Sequence, residues 1–121
     1  MAIRIYEYAG CSTCKNALKY LDSKKKKYER VPIVDQPPTV SELKKMLGYL
    51  EADGKTFKNL FNTSGEQYRA LKMGDRIKAG MSADEAIELL SRNGKLVKRP
   101  FLLTDKGGTT GFRAETWDEL V

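Results

Sequence analysis

The first forty residues change from alternating apolar positions to helical spacing and back again. Ile3 and Ile5 flank the polar Arg4, a period of two that predicts a strand over residues 3–7, and Gly10 ends it. Apolar positions then recur three and four residues apart through Leu21, which predicts a helix capped by Ser12 or Thr13. A second strand is predicted over residues 28–34, where an internal Pro32 indicates a sheet edge or a bulge.

The middle of the chain is helical in pattern. After Pro37–Pro38, Thr39 or Ser41 is expected to open a helix that Asp53–Gly54 closes. Short apolar elements follow over residues 57–61 and 68–71. Residues 82–90 give the clearest helix, with Ser82 as its cap and Asn93–Gly94 at its end.

The last quarter returns to strand patterns. Residues 97–104 predict a strand, Gly107–Gly108 a hairpin turn, residues 109–112 the partner strand and residues 114–120 a final helix. The element order is therefore β-α-β, then helices, then β-β-α. This order predicts one α/β domain over residues 1–121, whose single sheet is interrupted by a helical insertion at about residues 38–95.

Composition narrows the function classes. The 121 residues carry a net charge of +6 and no histidine, which excludes a Cys-His nucleophile pair and histidine-based metal sites. Two cysteines alone cannot complete a tetrahedral zinc site, so no metal and no bound cofactor are expected.

No apolar stretch is long enough for a membrane span or a signal peptide, which predicts a cytoplasmic protein. The basic run Lys24–Lys27 has no interleaved aromatic residues and gives no support for direct nucleic-acid binding.

The candidate chemistry lies in Cys11–Ser12–Thr13–Cys14, a C-x-x-C motif between a predicted strand and a predicted helix. At a helix N-terminus, exposed backbone N–H groups and the helix dipole stabilise a thiolate, and Lys15 adds a nearby positive charge. Cys11 is therefore predicted to be the nucleophile. Cys14, one turn further and facing inward, is predicted to resolve a mixed disulfide on Cys11.

Three later residues are expected to meet the Cys11 loop. Arg99 lies near the start of the predicted strand over residues 97–104, Arg113 follows the last predicted strand, and an arginine fork suits the binding of an oxyanion. Pro100 follows Arg99 and is a candidate for the cis proline that packs beside the active cysteine in thioredoxin-like folds. An ordinary proline at the start of a strand is the alternative.

Taken in order, several segments resemble the ArsC family, which includes glutaredoxin-coupled arsenate reductases, Spx-type transcription regulators and YffB-like proteins. They are G-C-S-T-C-K, P-P-T-V-S-E-L, L-F-N-T-S-G-E-Q-Y-R-A-L, L-V-K-R-P-F-L-L and T-G-F-R. The resemblance implies a thioredoxin-like fold of the glutaredoxin type. It implies Cys11 as the nucleophile on arsenate or on a disulfide, with Arg99 and Arg113 as two of three oxyanion-binding arginines. Thioredoxin, or glutathione with glutaredoxin, would be the reductant.

The sequence also departs from the reductases of that family. The third arginine is expected at Asn62 or Ser64, and neither carries charge. Cys14 is a second cysteine, as in Spx-type proteins, whose dithiol–disulfide switch accompanies binding to the C-terminal domain of the RNA polymerase α subunit. Two hypotheses follow: a thiol-dependent oxidoreductase resembling arsenate reductase, and a redox-sensing regulator that binds RNA polymerase α. A monomer is expected in either case.

Overall fold

The computed structural model describes residues 3–121, which form a four-stranded sheet with helices on both faces. The strands are β1 (Ile3–Glu7), β2 (Glu29–Pro32), β3 (Phe101–Thr104) and β4 (Gly107–Thr110). The helices are α1 (Ser12–Ser23), α2 (Val40–Ala52), α3 (Glu66–Ala70), α4 (Met73–Lys78), α5 (Ala83–Arg92) and α6 (Ala114–Leu120). The strand order is β2-β1-β3-β4, with β1 parallel to β2 and the other neighbours antiparallel.

Alternation along β1 divides the core into two layers. Ile3 and Ile5 face α1 and α6, where they pack with Leu102 and the fully buried Trp117. Tyr6 faces the opposite way, into the larger layer beneath the helical insertion. The predicted architecture, a β-α-β unit joined to a β-β-α unit by helices, is therefore the observed one.

The strand register defines two ends of the sheet. Glu7 of β1 lies beside Pro32 of β2, and Phe101 of β3 lies beside Thr110 of β4. We call this the cysteine end, because β1 leads from it into the Cys11 loop. At the Arg4 end, Arg4 lies beside Glu29, and residues 104 and 107 flank the hairpin turn.

The insertion is fastened to the cysteine end by backbone contacts. A short 3₁₀ turn, Phe57–Leu60, precedes an isolated bridge between Phe61 and Val97. The Lys98 N–H donates to the Leu60 carbonyl at 2.8 Å, and the Asn62 N–H donates to the Leu96 carbonyl at 2.7 Å. These bonds align residues 60–62 with residues 96–98, just before β3.

That pairing corrects one prediction. The strand expected over residues 97–104 begins only at Phe101, because residues 97 and 98 bond to the insertion and not to β1. Val97 and Leu96 are apolar because they are buried against the insertion, and burial of this kind cannot be distinguished from a strand by pattern alone.

The hairpin turn predicted at Gly107–Gly108 is also wrong. Residues 105 and 106 form the turn, and both glycines belong to β4, which begins two residues earlier than expected. A Cβ on Gly108 would lie 2.8 Å from the Leu102 carbonyl oxygen, so this glycine permits close packing within the sheet.

Helix caps were predicted well in α2 and α5 and incorrectly in α1. Thr39 and Ser82 each accept the N–H of a glutamate three residues later, and both form capping boxes. In α1, however, the N-cap is Cys11 itself and not Ser12 or Thr13. Among residues 3–121, no helix has the length and apolar content needed to cross a lipid bilayer.

Candidate active site

Cys11 lies where β1 has ended and α1 begins. Its backbone is extended, its N–H donates to the Tyr8 carbonyl at 3.0 Å, and its Sγ accepts the Cys14 N–H at 3.3 Å. The sulfur therefore occupies the place that a serine or aspartate oxygen usually takes at a helix N-cap. Cys11 is part-exposed, whereas Cys14 is fully buried, as the sequence predicted.

The two thiols differ strongly in acidity. Burial opposes ionisation of Cys11, but hydrogen bonds from the Cys14 thiol and N–H, together with Arg99, outweigh it and lower the pKa of Cys11. Burial and the neighbouring Cys11 raise the pKa of Cys14 to about 12. Cys11 is therefore the thiol that ionises first, while Cys14 keeps its proton, and the thiolate is the nucleophilic form.

Arg99 links Cys11 to the rest of the site. Its guanidinium lies 4.6 Å from the centre of the Tyr8 ring, in a cation–π arrangement, and its positive charge is among the causes that lower the pKa of Cys11. The Arg99–Pro100 peptide bond is cis, which is the first of the two alternatives given for Pro100 from the sequence. Pro100 is buried and its carbonyl accepts the Gly111 N–H at 2.8 Å, which holds the start of β3 against the end of β4.

A polar cavity of about 450 Å³ opens beside this arginine. One wall is the turn of residues 62–65 with α3, the other comes from residues 95 and 99, and Tyr8 connects both to the Cys11 loop. We call it the α3-side cavity. Asn62 and Ser64, the two uncharged positions where a third arginine was expected, both line it.

The remaining predicted residues lie near the loop in different roles. Ser12, Thr13 and Lys15 are exposed on the first turn of α1, and Lys15 is not among the groups that lower the pKa of Cys11. Arg113 is the exposed N-cap residue of α6, so it lies beyond the cysteine end of β4. It does not line the α3-side cavity, and the structure brings Arg99 but not Arg113 into that space.

Sequence reasoning missed two cations that do line the cavity, Arg69 and Lys95. Arg69 follows Gly65 by four residues, and its N–H points back to the Gly65 carbonyl at 3.4 Å. That spacing returns a side chain to the face on which a helix began. The pattern G-E-Q-Y-R therefore held a usable signal, since Gly65 follows the expected arginine position directly.

No metal cluster accompanies the dithiol. Within residues 3–121, no three side chains among His, Cys, Asp and Glu come together in a way that would hold a metal ion. The Cys11 loop and the α3-side cavity together offer two thiols, three cations, one carboxylate and several amide or hydroxyl groups.

Comparison with curated proteins finds relatives of two kinds. The chain is 37% identical over 119 residues to the uncharacterised protein YusI of Bacillus subtilis, covering 98% of each. It is 27% identical over 111 residues to the global transcriptional regulator Spx 2 of Bacillus anthracis, covering 92% of this chain and 80% of that protein.

Solved structures agree with the fold over the whole chain. An ArsC-family-related protein from Bacteroides fragilis superposes with a TM-score of 0.90 at 40% identity, covering 100% of this chain and 98% of the other. A possible arsenate reductase from Streptococcus mutans gives 0.82 at 38% identity, covering 96% and 97%. These neighbours have the ArsC type of thioredoxin-like fold, which confirms the fold class predicted from sequence.

The family model described as ArsC family matches residues 6–120, a range that runs from the end of β1 through the whole of α6. The match includes the Cys11 loop, the insertion that forms the α3-side cavity, and the Arg99–Pro100 segment. This chain therefore belongs to the ArsC family.

Proposed function

We propose that this protein is a thiol-dependent oxidoreductase in which Cys11 is the nucleophile and Cys14 the resolving thiol. One observation carries the proposal: the Cys11 sulfur caps α1 and accepts the Cys14 N–H at 3.3 Å, on the side of the loop where Arg99 also favours the thiolate. These contacts lower the pKa of the part-exposed thiol, while its partner stays protonated and buried. An activated thiolate beside a protected second thiol suits two-step exchange.

The proposed reaction moves two electrons. The Cys11 thiolate attacks an oxyanion or one sulfur of a disulfide, and a hydroxide or a thiolate leaves with a proton. Cys14 then loses its proton and attacks the Cys11 sulfur, which breaks the bond to the substrate and forms a Cys11–Cys14 disulfide. The substrate leaves reduced by two electrons, as arsenite if it entered as arsenate.

The cycle requires an external reductant. Thioredoxin, or glutathione with glutaredoxin, would return the disulfide to the dithiol, with electrons drawn from NADPH in the cytoplasm. The similarity to a possible arsenate reductase supports arsenate as the first substrate to test. The uncharged Asn62 and Ser64 weaken that choice, because a charge-assisted bond to an anion contributes about 1.5–3 kcal/mol.

The test is arsenate-dependent NADPH oxidation in two coupled systems, thioredoxin with its reductase and glutathione with glutaredoxin. Turnover by the wild type that disappears in Cys11→Ser establishes the reductase and identifies its reductant. In the thioredoxin system, the reaction of Cys14→Ser should stop at the adduct in which Cys11 is bonded to the substrate, because no second thiol can displace it. Absence of turnover in both systems, with an intact dithiol, would refute arsenate as the substrate.

A second candidate function is redox-sensing regulation. The distant similarity to Spx 2 favours it, and so does Cys14, which gives this chain the two-cysteine motif that Spx-type proteins have. It predicts that oxidation of the Cys11–Cys14 pair changes affinity for the C-terminal domain of the RNA polymerase α subunit. Titration calorimetry of reduced and oxidised protein with that domain tests this, and equal or absent binding in both states would exclude it.

A further inference from the structure

The α3-side cavity is much larger than a tetrahedral oxyanion requires. Its volume of about 450 Å³ lies within the range of sites for small organic ligands. Cys11 does not line it, but two lining residues connect it to the Cys11 loop: the Tyr8 carbonyl accepts the Cys11 N–H, and Arg99 is among the groups that lower the pKa of Cys11. The cavity therefore has room for the body of a substrate whose reactive atom lies at Cys11.

Its charge is positive. Arg69, Lys95 and Arg99 line it with one carboxylate, Glu66. Among residues 3–121, no ion pair within 4.0 Å involves any of these four groups, whereas Arg4, Arg30 and Arg92 are each paired with a glutamate. The three cations are thus available to a ligand, with a surplus of two positive charges.

A hydrogen bond to the backbone positions the Arg69 guanidinium at the wall of the cavity. One of its terminal nitrogens donates to the Ser64 carbonyl at 3.1 Å. This bond fixes the guanidinium against Ser64, one of the two positions at which a third arginine was expected. A guanidinium has five N–H donors in a planar fork, so most of them remain available to a carboxylate.

We propose that the α3-side cavity binds the carboxylate-bearing arm of a small disulfide, and that Arg69 determines this specificity. The inference rests on the proposed thiol-exchange function and names its substrate class. Cys11 attacks the nearer sulfur of the substrate, whose S–S bond breaks as the first thiolate leaves. Cys14 then displaces the second thiolate from Cys11, so one disulfide is reduced to two thiols while the protein dithiol becomes a disulfide.

A single-turnover experiment tests this without any added reductant. Reduced protein is mixed with three disulfides of similar size and different charge: dithiodipropionate, which is anionic, hydroxyethyl disulfide, which is neutral, and cystamine, which is cationic. The second-order rate constants are divided by those of mercaptoethanol thiolate with the same compounds, which removes intrinsic differences in reactivity. We expect the normalised rate to be roughly tenfold higher for the anionic than for the neutral compound.

Variants assign the preference to the cavity. Arg69→Gln should reduce the anionic-to-neutral ratio severalfold, Arg69→Lys should retain part of it, and Glu66→Gln should increase it. Arg76→Gln removes the same charge from exposed α4 outside the cavity and is the matched control, with no change expected. Added salt should lower the anionic rate more than the neutral one in the wild type. Circular dichroism of each variant checks that the fold is intact.

The outcomes separate the two proposals. Equal normalised rates for the three compounds, or a ratio unaffected by Arg69→Gln, would overturn the specificity while leaving thiol exchange established by the neutral compound. A preference that Arg76→Gln removes as fully as Arg69→Gln would also overturn it, since general surface charge would then explain the selectivity. Failure of all three compounds to oxidise the dithiol would refute both the exchange reaction and the specificity.

Discussion

The two ends of the sheet each have an arginine beside a cavity, but they differ in whether carboxylates pair with that arginine. Each has an arginine, Arg4 or Arg99, and a cavity of about 460 or 450 Å³. At the Arg4 end, Arg4 donates to Glu29 at 3.0 Å and to Glu42 at 3.1 Å, and carboxylates balance the cation. At the cysteine end, Arg99 meets a thiol and an aromatic ring, and no carboxylate pairs with it among residues 3–121. The comparison teaches that an arginine serves structure when carboxylates surround it and is available for chemistry when they do not.

The largest expected effect comes from removing the nucleophile at the cysteine end. Cys11→Ser should abolish alkylation by iodoacetamide at pH 7, because Cys14 is buried and its pKa is raised to about 12. The free energy of unfolding should change by no more than about 0.5 kcal/mol, since Cys11 is part-exposed and serine also caps helices. Mass spectrometry counts the alkylated thiols, and urea titration measures the stability. Rapid alkylation of Cys14 in this variant would contradict the assigned roles.

A backbone change at the cysteine end should have the next largest effect. A Cβ on the buried Gly94 would overlap the Ile33 carbonyl oxygen, and neither backbone can move far. Gly94→Ala should therefore destabilise the protein by about 3 kcal/mol, at the upper end of overpacking costs. Gly48→Ala is the control, because a Cβ there meets nothing within 4 Å and alanine favours the helix. Thermal unfolding measures both, and equal melting temperatures would disprove the close approach.

At the Arg4 end, the paired carboxylate should matter for stability and not for reactivity. The Glu42 side chain accepts from Tyr6 at 2.5 Å and from Arg4, and it completes the cap of α2. Glu42→Gln should cost about 1–3 kcal/mol of unfolding free energy, whereas Glu29→Gln, at an exposed pair, should cost at most about 1 kcal/mol. Alkylation of Cys11 should be unchanged in both.

The contribution of Glu42, at the Arg4 end, to the free energy of unfolding should decrease as the pH is lowered. Burial opposes ionisation of Glu42, but hydrogen bonds from Tyr6, Thr39 and Arg4 lower its pKa. A lowered pKa in the folded state means that the stabilisation is complete above the ordinary value of 4.5 and is lost as the pH falls through the lowered one. Urea titrations at decreasing pH should show this loss in the wild type and a smaller one in Glu42→Gln.

The smallest expected effect is electrostatic and sharpens the comparison directly. Arg99→Gln should raise the pKa of Cys11, because it removes one of the groups that stabilise the thiolate. The alkylation rate below that pKa should fall roughly threefold, since the thiolate fraction falls with each increment of pKa. Arg4→Gln should leave the alkylation profile unchanged. Identical profiles for wild type and Arg99→Gln would mean that helix and Cys14 bonds alone activate Cys11.

Much of the fold followed from local pattern. The bounds of β1 and α6 were predicted to the residue, Ser82 was recognised as a cap and Thr39 was one of two candidates, because these features depend on neighbours in sequence. Residues 97 and 98 were misassigned to a strand of the main sheet because their partners, residues 61 and 60, lie almost forty residues earlier, in the insertion. Apolar pattern records burial, and it does not record which element provides the burial.

The site divided in the same way. The dithiol and the inward-facing Cys14 were predicted from a short motif and its setting, whereas for Pro100 the cis bond was one of two alternatives. Cys11 was not expected to cap α1 itself, since serine and threonine beside it are the commoner caps. The spacing of Arg69 from Gly65 indicates the face of α3 that carries it, but its place in one cavity with Arg99 depends on how the turn at residues 62–65 folds back.

Strand β2 has a consequence for how copies of the chain meet one another. It forms an edge of the sheet, with only four residues, and it ends at Pro32, which lacks an N–H group. Its exposed Glu29 and Arg30 add charge along the same edge. Short, charged, proline-bearing edges are poor templates for strand addition. This side of the sheet therefore gives the edge of a second copy little opportunity to extend it by strand pairing.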